Sequence, residues 1–190
     1  MKRLAKFIRI ASIAPTGAAL LLVLLFLLVP QAYSALWEFW FGLSVLVFLP
    51  LLAYPVQWFF RVFPGDKRSG ERNLAILFSF AGYLAGLIVS MSVPFSAELK
   101  IIFMTYFLSG TAIAVMSFVF HIKASGHMCG VAGPIALILL TGGWAYLPLL
   151  FLLALVFWAS MILGRHTRKE LLLGSLIPVI AMMGSIAIFK

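Results

Sequence analysis

The sequence predicts an all-α integral membrane protein, a bundle of about seven helices forming one transmembrane domain over residues 1–190. Three observations predict it. Apolar residues make up 64% of the chain and charged residues 10%, against roughly 45–50% and 25% in a soluble domain. The mean hydropathy is +1.16, more apolar surface than a chain of 190 residues can hide in an ordinary core. The apolar residues also fall into stretches near the roughly 20 residues that a membrane-spanning helix needs. A soluble enzyme, a nucleic-acid-binding module and a disordered tail are excluded, although the net charge is +9.

The stretches run over 11–29, 36–60, 74–93, 100–121, 127–142, 146–164 and 170–189. The first follows the basic segment Met1–Ile10, and Ala32-Tyr33-Ser34 resembles a signal-peptidase site. Its apolar run exceeds the roughly 7–15 residues of a signal-peptide core, so a retained helix is expected. The other stretches are joined by short connections. With the N-terminus inside, the inner segments carry Lys2, Arg3, Lys6, Arg9, Arg61, Lys67, Arg68, Arg72, Lys123, Arg165, Arg168 and Lys169. The outer segments carry Lys100 and Lys190, so the positive-inside rule favours this orientation. Trp37, Trp40 and Trp144 then fall near the outer boundary, where amphipathic rings prefer to sit. A multi-pass protein of the cell membrane is expected.

The acids are Glu38, Asp66, Glu71, Glu98 and Glu170, too few and too scattered for a carboxylate-held catalytic metal. The single Cys129 permits no internal disulfide and reads as a small buried hydrophobe. The histidines are His121, His127 and His166, all at ends of apolar stretches on the inner side. His121 has no matching partner and reads as structural.

His127 and His166 sit in two short polar stretches, Lys123-Ala124-Ser125-Gly126-His127 and Gly164-Arg165-His166-Thr167-Arg168-Lys169-Glu170. Each directly precedes an apolar helix, whose free N–H groups and positive dipole end attract anions. Lys123 and Arg165 add cations, and Ser125 and Gly126 suit close backbone approach to an oxyanion. Two such ends facing each other would make a phosphate pocket. One histidine could attack phosphorus and the other protonate the leaving oxygen. Glu170, four residues after His166, could hold the far ring nitrogen on the same helical face. The scheme needs no metal and no cofactor. Thr167-Arg168-Lys169-Glu170 also fits a capping box, and Arg168 and Lys169 read as inner charges that set orientation.

The two stretches resemble motifs of the phosphatidic acid phosphatase type 2 superfamily, integral-membrane relatives of acid phosphatases and vanadium haloperoxidases. The family's second motif, Pro-Ser-Gly-His, corresponds to Ala124-Ser125-Gly126-His127. The end of its third motif, a histidine, three residues and an aspartate, corresponds to His166 through Glu170, followed by Leu171-Leu172-Leu173-Gly174. The likeness covers roughly residues 75–190. The first family motif is absent, and Ser160 stands where the third motif has arginine. Lys123 and Arg165 are expected to supply the charge instead.

The resemblance implies a six-helix phosphatase-like core over 36–190, with 11–29 as an added N-terminal helix. It implies His166 as nucleophile through a phosphohistidine, His127 as general acid and Glu170 as the group orienting His166. Lys123, Ser125, Gly126 and Arg165 would hold the phosphoryl oxygens. The expected activity is metal-independent hydrolysis of a lipid phosphate monoester or diphosphate, with the site on the cytoplasmic side. The competing expectation is a non-catalytic relative that binds anionic head groups. A transporter is disfavoured, because no ionisable residue sits mid-helix and Pro134 and Pro178 are not paired breaks.

Overall fold

The structure, a computed structural model, describes residues 1–190 apart from the side chain of Arg68, so that part of the inner charge pattern lies outside the described residues. It is all-helical, with no strand among the described residues. The helices are α1 (Lys2–Ala11), α2 (Ala14–Leu28), α3 (Leu36–Leu43), α4 (Leu49–Phe60), α5 (Lys67–Ser92), α6 (Ala97–Phe118), α7 (Gly126–Gly142), α8 (Leu149–Ile162) and α9 (Arg168–Phe189).

Among the described residues five spans are long and apolar enough to cross a membrane: Leu36–Phe60, Ser69–Ser92, Ala97–Phe118, Trp144–Ile162 and Arg168–Phe189. The α1–α2 pair makes a sixth if counted as one broken span, and α7 is shorter at 17 residues. The segment expected as the single stretch 36–60 is α3 and α4 joined through the π-helical turn Ser44–Phe48. Pro50 lies just beyond that turn and offers no N–H to the preceding one, and the wider turn absorbs the mismatch.

The N-terminal segment differs from expectation at its start. Residues 2–11 form a helix of their own, bent by 53° from α2. Pro15 explains the break, since its ring would strike the Ala11 carbonyl if the helix ran through. α1 is amphipathic, with basic Lys2, Arg3 and Lys6 exposed and Ala5 buried. It lies along α8. α2, within the stretch expected as an addition to the core, packs against α7, and its Leu21 and Leu22 are fully buried. Gly17 makes this approach close, because a Cβ there would stand 2.6 Å from the Gly130 carbonyl oxygen.

Helix starts are fixed by side-chain caps. Asp66, Ser96, Ser125 and Thr167 accept from the backbone N–H groups of Ser69, Leu99, Met128 and Glu170 at 3.1–3.3 Å. The main core gathers Leu22, Leu46, Leu99, Phe103 and Ile138 from α2, the π turn, α6 and α7. α9 packs against both α6 and α7. The first turns of α7 and α9 are therefore held side by side at one end of the bundle. The Lys190–Glu98 ion pair, 3.7 Å, closes the other end.

Candidate active site

The chain before α7 lies directly on the start of α9. The Ser125 N–H donates to the Glu170 carbonyl at 3.0 Å. Below that bond, a Cβ on Gly174 would collide with the Ser125 carbonyl oxygen. Only glycine lets the two polar stretches come this close. His127, in the first turn of α7, and His166, just before α9, consequently line one cavity of about 490 Å³. Lys123, Gly126 and Arg165 line it too.

His166 is half-buried, and its Nδ1 lies 2.8 Å from Glu170 Oε2. A carboxylate there accepts the Nδ1 proton and leaves the Nε2 lone pair available. The same carboxylate oxygen accepts from the Thr167 N–H at 3.2 Å, and Thr167 caps Glu170 in return. Glu170 thus belongs to a capping box and holds the histidine ring at once. Burial pulls the His166 pKa down most strongly; Glu170 pulls it up, and the Arg9 and Lys123 cations pull it down again. The net direction is downward, towards the neutral ring.

Ser125 is placed differently from the other expected oxyanion holders. Its hydroxyl is fully buried and accepts from the Met128 N–H at 3.3 Å as the cap of α7. It shapes the helix start and is not among the cavity-lining residues. Gly126 faces open space, with no heavy atom within 4 Å of a Cβ there. His121 lies on the exposed connection with a left-handed backbone, φ 53°. Cys129 is buried and lines the cavity wall.

Sequence reasoning missed Arg9, Ser12 and Arg72. Arg9 and Arg72 line the same cavity as the histidines, and Glu71 adds an acid to its wall. Arg9 Nη1 donates to Ser160 Oγ at 2.8 Å, bridging α1 and α8. Ser12 Oγ donates to the Ile8 carbonyl at 2.7 Å and lies 3.2 Å from His127 Nε2. Because a hydroxyl has one proton, Ser12 is left to accept from His127 Nε2–H. Arg9 read from sequence as one more inner charge, flanked by apolar residues just as Lys6 is.

The cavity changes character with depth. Its charged rim lies at the helix ends, while its interior runs between α5, α6 and α7 past Phe80, Tyr83, Tyr106 and Ile113. Such a space can take an anionic head at the rim and an apolar tail within. Comparison with protein families, curated proteins and solved structures gives no match for the chain.

Proposed function

We propose that the protein is a membrane-embedded phosphatase that hydrolyses a lipid phosphate monoester or diphosphate through a phosphohistidine. One observation carries the reading: a carboxylate-held histidine and a second histidine line one cavity rimmed by Arg9, Arg72, Lys123 and Arg165. Cations at the rim suit a dianionic head group, and the mainly apolar interior, which also carries the hydroxyls of Ser79, Tyr83, Thr105, Tyr106 and Ser109, suits its tail.

In the proposed reaction His166 Nε2 attacks phosphorus as the bond to the leaving oxygen breaks. His127 delivers a proton to that oxygen, which leaves as an alcohol from a monoester or as part of a lipid monophosphate from a diphosphate. His127 then takes a proton from water, the water oxygen attacks the phosphohistidine, and the N–P bond breaks to release inorganic phosphate. Glu170 keeps Nδ1 protonated throughout. The chain's own groups supply nucleophile, acid and charge, so activity is expected to persist in EDTA. The test is phosphate release by the purified protein from phosphatidate, phosphatidylglycerophosphate and a polyprenyl diphosphate in chelator. Magnesium-dependent activity contradicts the scheme. Head-group binding with no turnover on any of these substrates assigns the protein instead as a non-catalytic binder.

The pH profile carries a signature of the Glu170 contact. His166 must be unprotonated to attack, so the rate falls as pH drops through its pKa, which lies below the ordinary histidine value. Glu170 acts to raise that pKa. Glu170→Gln should therefore move the acid limb of kcat/KM to still lower pH while reducing the maximum. An unmoved limb contradicts the contact.

The rim also lies at the end of the bundle richest in basic residues, which the positive-inside rule places in the cytoplasm. In cells expressing Ala145→Cys or Lys67→Cys, an impermeant thiol reagent should label position 145 and not 67. The reverse pattern puts the rim on the outer face. Native Cys129 is buried and adds little background.

A further inference from the structure

α1 is tied to the cavity at two points. At the first, Arg9 donates to Ser160, which is fully buried near the end of α8. At the second, Ser12 lies against His127 Nε2 one helical turn further on. The bend at Ser12–Ile13 turns α1 across the end of the bundle, so both contacts form together. Arg9 differs in placement from the other basic residues of α1. Lys2, Arg3 and Lys6 are exposed, whereas Arg9 is half-buried and lines the cavity with His127 and His166.

Its place on the cavity wall beside both histidines puts the Arg9 guanidinium where a phosphoryl group held between them would lie. Arginine suits such a group. It stays charged, it is less strongly hydrated than an ammonium, and its planar fork matches two phosphoryl oxygens. The Ser160 hydroxyl accepts from one of its N–H groups and sets the plane of the fork.

We propose that Arg9 is a phosphoryl-binding residue of this site, delivered by α1 and aimed by Ser160, so that the N-terminal helix is part of the anion site. The inference rests on the phosphatase reading for turnover. Its binding half stands separately and is probed with inorganic orthovanadate. As charge grows on the phosphoryl oxygens in the transition state, Arg9 stabilises it more than it stabilises bound substrate.

The experiment measures orthovanadate affinity and kcat/KM of the full chain in detergent micelles. Arg9→Gln should weaken orthovanadate binding about tenfold or more and lower kcat/KM on the order of 10²-fold, the usual scale for one lost oxyanion donor. Lys6→Gln, with its side chain exposed on α1, should change neither. Ser160→Arg alone should be harmful, because it sets a second guanidinium against Arg9. Arg9→Gln combined with Ser160→Arg should recover part of both losses, since position 160 begins where the Arg9 fork ends. If Arg9→Gln fails to fold, Arg9→Lys carries the test: it keeps the charge, loses the fork, and should bind orthovanadate several-fold more weakly. Wild-type orthovanadate affinity in a folded Arg9→Gln or Arg9→Lys protein overturns the inference. If His166→Ala is inactive at the same time, the phosphatase reading stands without Arg9. If His166→Ala keeps wild-type turnover, it is the phosphatase reading that fails.

Discussion

His166→Ala is expected to abolish turnover of every substrate, whereas His127→Ala is expected to discriminate among them. The two rings share a cavity, but their partners differ. His166 has its Nδ1 against the Glu170 carboxylate at 2.8 Å, which leaves Nε2 as a lone-pair donor. No other side chain with a nucleophilic nitrogen is held in this way among the described residues. Without it the phosphoryl group has nowhere to go, and phosphate release should fall to the uncatalysed rate. His127 is bound to Ser12 through Nε2, a nitrogen that carries a proton. A proton donor matters only where the leaving oxygen is basic. For a lipid alkoxide, loss of His127 should cost about 10²–10⁴-fold in rate. For an aryl phosphate with an acidic leaving group, kcat/KM should be largely kept, because it ends at departure of the leaving group, before the hydrolysis step that also uses His127. Steady-state kinetics on one lipid phosphate and one nitrophenyl phosphate separate the two roles. Equal losses on both substrates would show that His127 is not the acid.

Gly174→Ala is expected to damage the site from a residue that touches no substrate. The added Cβ would meet the Ser125 carbonyl, and backbone on both sides leaves little room to yield. Overpacking of this kind costs about 1–3 kcal/mol. The larger consequence is geometric. Ser125 caps α7, His127 follows two residues later, and the Ser125 N–H is tied to Glu170. Pushing α9 away from Ser125 separates His127 from His166, the proposed acid and nucleophile, and a displacement of about 1 Å can cost on the order of 10²-fold in rate. Gly184→Ala is the matched comparison on the same helix. Its Cβ would meet nothing within 4 Å, and alanine is the better helix former, so stability should hold or rise slightly. Thermal unfolding in detergent, read beside activity, checks both. A Gly174→Ala protein as stable and active as the wild type would mean that the close contact does not set the site.

The spans were legible because lipid imposes a length and a hydropathy on a helix, and both are local properties of the sequence. The stretches around 36–60, 74–93, 100–121, 146–164 and 170–189 all coincide with helices of spanning length. The break after Ala11 was legible in principle from Pro15, but the apolar run beginning at Ala11 masked it. The histidine stretches could be read because each joins polar residues to a helix start, again a local pattern. Glu170 showed two local signals at once, the capping box and the i, i+4 spacing to His166, and the geometry satisfies both. What could not be read was Arg9. Its partner Ser160 lies 151 residues away, and a pairing across that distance leaves no periodicity in a single sequence. The cation at the cavity wall beside Ser160 comes from the first helix, where the sequence showed only one basic residue among several. Ser125 showed a local signal that its serine–glycine–histidine context drew attention away from, a serine at a helix start, and its hydroxyl caps α7.

The claim that His166 carries the phosphoryl group is open to direct measurement. Rapid acid-free quenching of the protein during turnover of a ³²P-labelled lipid phosphate, followed by peptide mapping at alkaline pH, locates any protein-bound phosphate. The expected result is acid-labile, base-stable label on the peptide containing His166. With a ³²P-labelled aryl phosphate, whose leaving group needs no acid, it should accumulate in His127→Ala, whose general base for hydrolysis is gone, and it should be absent from His166→Ala with either substrate. Steady turnover with no label on His166, or with label on another residue, would contradict the account.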